Sequence, residues 1–133
     1  MLEGLIGSHA IDLIGEETRA GEVTIAQRLA DTHGCEYVNI DAGNQERRTL
    51  GIPADYLQPD ARYPPGQVAR WQARREQFMY EKLRQRRGRT RNALVICGWS
   101  HLERLAVLLG EEGPDLRLCD VRRTKWFVNR WRS

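Results

Sequence analysis

The stretch ALVICGWSHLERLAVLLG, residues 93–110, joins an apolar strand pattern to an amphipathic helix pattern. Ala93–Cys97 is apolar throughout, which predicts a strand buried on both faces, as in a parallel sheet. A helix is predicted over Ser100–Leu109, where apolar residues recur at helical spacing. Between the two, a turn through Gly98 brings His101 into the first turn of the helix. A buried strand that leads directly into a helix is the repeating unit of an α/β fold.

The same alternation extends over the rest of the chain. A short helix, two strands and a long helix come before this stretch, and one strand of alternating polarity follows it. A further helix is predicted between the first two strands, where Val23, Ala26, Leu29 and Ala30 recur at helical spacing and Gly34 is the predicted C-terminal glycine. The strands are predicted near residues 11–16, 35–40, 93–97 and 115–120. Strands that alternate with helices imply crossover connections and parallel pairing. We therefore predict a single α/β domain over residues 1–133, with three layers, a four-stranded, mainly parallel sheet and helices on both faces.

The composition is that of an ordinary globular protein. The chain has 133 residues, a net charge of +3 and 29% charged residues, which argues against a disordered or fibrous protein. No apolar run approaches the ~20 residues that span a bilayer and no signal peptide is recognised, so no membrane partner is predicted. Cys35, Cys97 and Cys119 fall in predicted strands without motif spacing, which indicates buried free thiols and a cytoplasmic location.

Polar residues gather where the predicted strands end. Glu16 and Glu17 close the first strand, Asp41 closes the second, and His101 follows the third. In an open parallel sheet, ligands bind beyond the carboxyl ends of the strands. These residues therefore form a candidate site, although polar residues at strand ends are also common in α/β proteins that bind nothing there.

His101 is the most informative of these residues. Ser100 is predicted to cap the helix with its hydroxyl group. The positive end of the helix dipole would then favour a neutral imidazole, suited to act as a base, a hydrogen-bond partner or a metal ligand. The alternative is a histidine that only hydrogen-bonds a neighbouring loop.

Arg75 is the second informative residue. It lies in a helix predicted over residues 67–87, in the middle of an apolar stripe that includes Trp71 and Met79, whereas Glu76 is predicted to point elsewhere. An arginine aimed at a core is costly unless it meets an anion. We expect Glu16, Glu17 or Asp41 to supply it; the alternative is a guanidinium that reaches solvent along the stripe.

Two basic segments raise a different function. KLRQRRGRTR, residues 82–91, and RRTKWFVNRWRS, residues 122–133, could bind phosphates through arginine and bases through tryptophan. No nucleic-acid-binding motif is present, and cations are favoured at a helix end. Nucleic acid is therefore not the expected partner.

Three segments resemble one family. GWSH after an apolar strand resembles the C-terminal G-x-x-H motif of the TIKI/TraB superfamily, which includes ChaN-like and erythromycin-esterase-like proteins. RREQFMYEKL, residues 74–83, resembles its Arg-Asn/Asp-x-x-Met helix, with Arg75 and Met79 at the matching positions, and LIGEE, residues 13–17, resembles its acidic strand. The resemblance covers residues 13–109 and implies an α/β fold with a site of glutamates, histidines and an arginine. It places the chain nearest a small, uncharacterised bacterial branch.

One departure from that family is clear. Its members usually begin with a strand that ends in another G-x-x-H, and this chain has no such strand; His9 follows Ile6 at the wrong spacing. Loss of that strand would expose a strand edge or an apolar groove beside Ile11–Ile14, and exposed edges pair with other chains. We therefore expect a homodimer or a poorly soluble chain.

The main functional hypothesis is a hydrolase-like protein, and whether it is an enzyme is left open. Glu16 or Glu17 would act as general base, His101 as second base, and Arg75 would orient a carboxylate or stabilise an oxyanion. Glu17, Asp41 and His101 could bind a divalent ion such as Mn²⁺ or Zn²⁺, with a small molecule or peptide as substrate. The alternatives are a non-catalytic binding module or degenerate remnant of the family, in which Glu17–Arg75 is a structural ion pair, and a basic nucleic-acid-binding protein.

Overall fold

The computed structural model describes residues 2–111 except 9, 20, 87 and 89. The order of its elements is that of an α/β protein, which confirms the predicted class. A single 3₁₀ turn, Pro59–Ala61, precedes the longest helix. The helices and strands are α1 Leu2–Ser8, β1 Leu13–Glu16, α2 Ile25–His33, β2 Glu36–Asn39, α3 Asn44–Thr49, α4 Pro65–Arg84, β3 Ala93–Ile96 and α5 Trp99–Gly110.

The described strands form a parallel sheet in the order β2-β1-β3. Leu13 at the start of β1 is in register with Glu36 of β2 and with Ala93 of β3. Both pairings are parallel, as predicted. The predicted fourth strand, residues 115–120, and Cys119 lie outside the described residues.

Helices pack against β1 from both sides because successive side chains of a strand point to opposite faces. Leu13 belongs to an apolar cluster with Met79 of α4 and Leu105 of α5. Ile14 belongs to a second cluster with Ala26 and Ala30 of α2. β1 is buried along its whole length, so the alternation of its side chains decides which helix each one meets.

The helix ends follow from local chemistry. Thr24 caps α2, its hydroxyl accepting a hydrogen bond from the Gln27 N–H at 3.1 Å. α2 ends at Gly34 with φ of 69°, as the predicted C-terminal glycine requires. α4 begins at Pro65, two residues before the predicted start, because proline suits a first helical turn.

Two sequence expectations about the sheet are wrong. β3 is half-buried and its first residue, Ala93, is exposed, so it is not buried on both faces. The reason is that β3 is an outer strand among the described ones, and β1 takes the central place. The edge expected beside Ile11–Ile14 is also absent, since β1 is paired on both sides. The expected homodimer therefore loses the strand edge as a physical reason.

Gly15 marks the closest approach of a helix to the sheet. A Cβ atom on Gly15 would lie 2.7 Å from Leu83 Cδ2 of α4 and 3.1 Å from Ile40 Cγ2. Since real carbon atoms do not approach so closely, the missing side chain lets α4 lie against β1. This contact fixes α4 over the face of β1 that also carries Glu17.

Candidate functional site

The polar residues predicted at the strand ends lie where the connections between strands switch from one face of the sheet to the other. The chain leaves β1 toward α2 on one face and leaves β3 toward α5 on the other. Such a switch between neighbouring strands leaves a crevice at their carboxyl ends, which is where open α/β sheets bind ligands. Glu17 directly follows β1, and His101 lies in the first turn of α5, so both lie at the carboxyl ends of these strands.

Arg75 is the buried cation of the cluster, with 8% of its surface exposed. Its Nε and Nη2 atoms donate to the two oxygens of Asp41, each at 2.8 Å. Nη2 also donates to Glu17 Oε2 at 3.0 Å. The prediction that Arg75 meets an acid of the strand ends is confirmed. Burial opposes the charge, but the bonds to Asp41 and Tyr56 outweigh it and raise the pKa, so the guanidinium stays a cation.

Glu17 is held on both of its oxygens. Its Oε1 accepts a hydrogen bond from the Gly98 N–H at 2.6 Å, and its Oε2 lies 3.0 Å from His101 Nε2. Burial acts to raise the pKa of Glu17, but the hydrogen bonds from His101 and Gly98 outweigh burial and hold it below 4.5. The carboxylate is therefore ionised at neutral pH.

The start of α5 differs from the prediction. The helix begins at Trp99 with Gly98 as its N-cap, and no side chain caps it. Ser100 is exposed and lies inside the helix, so its predicted capping role is wrong. The Gly98 backbone N–H is instead taken by the Glu17 carboxylate, which ties the end of β1 to the start of α5.

His101 is buried, with 3% of its surface exposed. Its Nε2 faces Glu17 and its Nδ1 lies 3.1 Å from Glu76 Oε1. Burial acts to lower the pKa of His101, but the hydrogen bonds to the two glutamates outweigh it and raise the pKa above 6.5. The helix dipole was expected to favour the neutral ring, whereas the two carboxylates in contact with the ring favour its protonated form.

Sequence analysis missed Glu76, which is 5% exposed and points at His101. Because Glu76 lies outside the apolar stripe of α4, it was predicted to point away from the core. However, α4 packs against α5 as well as against the sheet, so a wider face of the helix is buried. The sequence contained one indication that Glu76 is buried. Tyr80 and Leu83 follow Glu76 at spacings of four and seven, and both are buried.

A polar chain supports the far side of His101. Gln72 Nε2 lies 2.9 Å from His101 Nδ1, and Gln72 Oε1 accepts a hydrogen bond from the Tyr56 hydroxyl at 2.7 Å. The Tyr56 oxygen in turn accepts from Arg75 Nη1 at 3.0 Å. Since Tyr56 donates to the amide oxygen, the Gln72 NH₂ group is left facing His101.

Glu16 does not join the cluster. Its Oε2 accepts hydrogen bonds from the Thr24 hydroxyl at 2.8 Å and from the Tyr37 hydroxyl at 3.4 Å, on the α2 face of the sheet. Glu17 lies on the α4 face. The pleat of β1 separates the two neighbours, so only Glu17 of the predicted pair lies with His101.

The predicted metal site gains no support from this geometry. Asp41 binds Arg75, and it also accepts a hydrogen bond from Arg47 Nη2 at 3.2 Å. Arg75 stands between Asp41 and Glu17, where a cation would have to lie. Among the described residues, no group of three or more His, Cys, Asp or Glu side chains could hold a metal ion.

The remaining predictions are only partly covered by the described residues. Arg86, in the first basic segment, pairs with Glu36 at 2.9 Å, and residues 122–133, the second basic segment, lie outside the described residues.

Cys35 and Cys97 are half-buried free thiols, and burial raises the pKa of Cys97 to about 11. No helix in the described part of the chain is long and apolar enough to cross a bilayer.

Comparison of the chain with protein-family models, with curated proteins and with solved structures found no match in any of the three.

Proposed function

We propose that this chain is a hydrolase-like α/β protein in which Glu17 and His101 carry out acid–base chemistry at the crevice between β1 and β3. His101 Nδ1 has two neighbours of opposite character, the Glu76 carboxylate at 3.1 Å and the Gln72 amide at 2.9 Å. A protonated Nδ1 donates to Glu76, and an unprotonated Nδ1 accepts from Gln72. A ring with a partner in each protonation state can release and regain a proton, and this observation carries the proposal.

The other residues take roles that their contacts support. His101, with its raised pKa, holds a proton that it can give to the leaving oxygen of an ester as the C–O bond breaks. Glu17 takes the proton of the water whose oxygen attacks the carbonyl carbon. Arg75 holds the Glu17 carboxylate in place at 3.0 Å, and Glu76 orients the ring as the third group of a triad does.

The test is hydrolysis of a panel of chromogenic esters and amides by the purified chain. Glu17→Gln and His101→Gln should each lower kcat/KM by about 10²–10⁴. Glu103→Gln changes an exposed acid of α5 and should leave the rate unchanged. Loss of activity at high pH in the wild type, where His101 gives up its proton, should disappear in His101→Gln. No hydrolysis above the buffer rate, or equal rates in all variants, would contradict the proposal.

One observation favours a second candidate, a non-catalytic binding module or family remnant. Every buried side-chain nitrogen or oxygen among the described residues has a hydrogen-bond partner, so the cluster is complete without a ligand. In that case Glu17→Gln and His101→Gln would destabilise the fold, and the wild type would hydrolyse nothing. Measuring stability and hydrolysis on the same variants separates the two candidates.

The finer architecture and the setting of the protein also remain proposals. We propose that residues 115–120 add a fourth strand beside β3, which would complete the three-layer arrangement, and that the chain belongs to the TIKI/TraB superfamily. The free thiols support a cytoplasmic location. Backbone amide exchange of residues 115–120, slow for a paired strand and fast otherwise, tests the fourth strand.

A further inference from the structure

Tyr56 lies far from His101 in the chain, yet its hydroxyl group belongs to the hydrogen-bond network around that ring. The side chain is 3% exposed and packs edge-on against Trp71, with 6.4 Å between the ring centroids. Its oxygen accepts a hydrogen bond from Arg75 Nη1 at 3.0 Å. Because a guanidinium only donates, the proton of the tyrosine points elsewhere, to Gln72 Oε1 at 2.7 Å. The arginine therefore fixes the direction of this second hydrogen bond.

Gln72 passes this direction on to His101. Its amide oxygen is occupied by the Tyr56 hydroxyl, so its NH₂ group faces His101 Nδ1 at 2.9 Å. The reversed amide would set its NH₂ group against the hydroxyl, whose own proton would then lose this acceptor. Since an NH₂ group can only donate, the favoured orientation suits an Nδ1 atom without a proton.

The charged groups around His101 place an acid at each of its two ring nitrogens. Glu17 Oε2, at the end of β1, lies 3.0 Å from Nε2, and Glu76 Oε1, in α4, lies 3.1 Å from Nδ1. Arg75, also in α4, binds Glu17. At the end of β3, burial raises the pKa of Cys97 to about 11, so this side chain stays a neutral thiol. A neighbour that contacts only one nitrogen can therefore decide where the proton of a neutral ring lies.

We propose that Tyr56 is a positioning residue that acts through Gln72 to keep the single proton of a neutral His101 on Nε2, the nitrogen that faces Glu17. Nδ1 is then the atom that loses and regains a proton, between the Gln72 amide and the Glu76 carboxyl group. The part that Tyr56 plays in a reaction rests on the proposed function, whereas the position of the proton does not.

The experiment measures the two ring nitrogens of His101 by ¹⁵N NMR in the full chain, at a pH where the ring is neutral. A nitrogen that carries a proton and one that does not resonate at clearly different frequencies, so their shifts give the ratio of Nδ1–H to Nε2–H rings. The signals that vanish in His101→Gln are those of His101. The wild type should hold most of the proton on Nε2, and a majority on Nδ1 would overturn the proposal.

Tyr56→Phe removes the hydroxyl group and keeps the ring. It should raise the ratio of Nδ1–H to Nε2–H at least about threefold, because Gln72 loses the hydrogen bond that fixes its amide. Tyr63→Phe is the matched control, since Tyr63 also packs edge-on against Trp71 but donates its hydroxyl proton to Asp55 at 2.8 Å. The control should keep the wild-type ratio. An unchanged ratio in Tyr56→Phe, or an equal change in both variants, would overturn the proposal.

Gln72→Leu separates positioning from packing. It removes the NH₂ donor and should also raise the ratio at least about threefold. If Tyr56 acts only through Gln72, adding Tyr56→Phe to Gln72→Leu changes the ratio no further, and additive changes would contradict the proposal. Because hydrolysis is not measured, a wild type that hydrolyses nothing would refute the proposed function and leave this result unchanged.

Discussion

Glu16 and Glu17 are neighbours in the chain, yet they lie in opposite electrostatic settings. Glu17 meets a guanidinium, an imidazole and a backbone N–H, which use both of its oxygens. Glu16 meets two hydroxyl groups on one oxygen and no described cation. The cluster around Glu17 contains three carboxylates, two guanidiniums and an imidazole, so each acid in it faces a basic group. The Glu16 face has no such balance.

The comparison shows that the pleat of a short strand can place neighbouring side chains in different environments. One residue of displacement along β1 moves a side chain from the α4 face to the α2 face. The first face is closed by tight packing of α4 and α5, and the second is open at a cavity. The predictions that follow test whether the two faces differ in stability as their contacts require.

The largest effect is expected for Arg75→Ala. Removing this cation takes away the buried guanidinium that Asp41 and Glu17 share, which leaves only Arg47 beside Asp41 and His101 beside Glu17, and should lower the free energy of unfolding by about 3–5 kcal/mol. Urea denaturation measures it. Arg74→Ala, at the exposed neighbouring position, is the control and should change stability by no more than about 0.5 kcal/mol. Similar losses for both variants would show that the Glu17 face does not depend on its ion pairs.

His101→Ala should cost about 2–3 kcal/mol near pH 6, because the buried Glu76 loses its described partner and Glu17 loses one of its three donors. The folded pKa of His101 lies above its usual 6.5, so its contribution is complete below pH 6.5 and declines as the pH rises through the folded value. The wild type should thus lose stability above pH 6.5, and His101→Ala should lose less. Urea denaturation at several pH values measures both losses of stability. His33 is present in the two proteins, so its contribution cancels in the comparison. Parallel curves would contradict the prediction.

The two glutamates provide the most direct comparison. Glu17→Gln should cost about 1–2 kcal/mol at pH 7, because Arg75 and His101 lose a charged acceptor. Glu16→Gln should stay within about 0.5 kcal/mol, because an amide oxygen still accepts from both hydroxyl groups. Thermal and urea unfolding of the two variants side by side measure the difference. A greater loss for Glu16→Gln would reverse the assignment of the faces.

Among the losses of stability expected on the Glu17 face, the smallest is at Gly15. Gly15→Ala places a methyl group against Leu83 on the Glu17 face and should cost about 1 kcal/mol through overpacking. Gly66→Ala is the control, because nothing lies within 4 Å of a Cβ at that position in α4. It should stabilise the chain by about 0.5 kcal/mol through helix propensity. Unfolding midpoints in urea report both values.

The sequence allowed the described strands and long helix to be predicted to within a few residues, because apolar periodicity depends on local spacing. The partner of Arg75 was also predictable, since a cation in an apolar stripe requires an anion. The burial of Glu76 was not, because it depends on α5 packing against α4. The separation of Glu16 from Glu17 was not either, since the predicted end of the first strand did not fix which face each side chain takes.

The protonation of His101 shows the same limit. The dipole of a helix is visible in the sequence, but the two carboxylates that outweigh it come from β1 and α4. The Ser100 cap failed for a smaller reason, a helix that starts one residue earlier than the pattern indicates. Tertiary contacts therefore decide the chemistry of this histidine, and local signals do not.

The central place of β1 has a consequence for the order in which the chain folds. The hydrogen-bond partners of Glu16 lie no later in the chain than Tyr37, whereas those of Glu17 include Arg75 of α4 and His101. At a synthesis rate of ~5–20 residues per second, these segments emerge from the ribosome about 3–13 s apart. During that interval β1 can pair with β2, but its other edge and Glu17 have no partners. A chaperone that shields one strand edge for a few seconds would therefore protect this protein during translation.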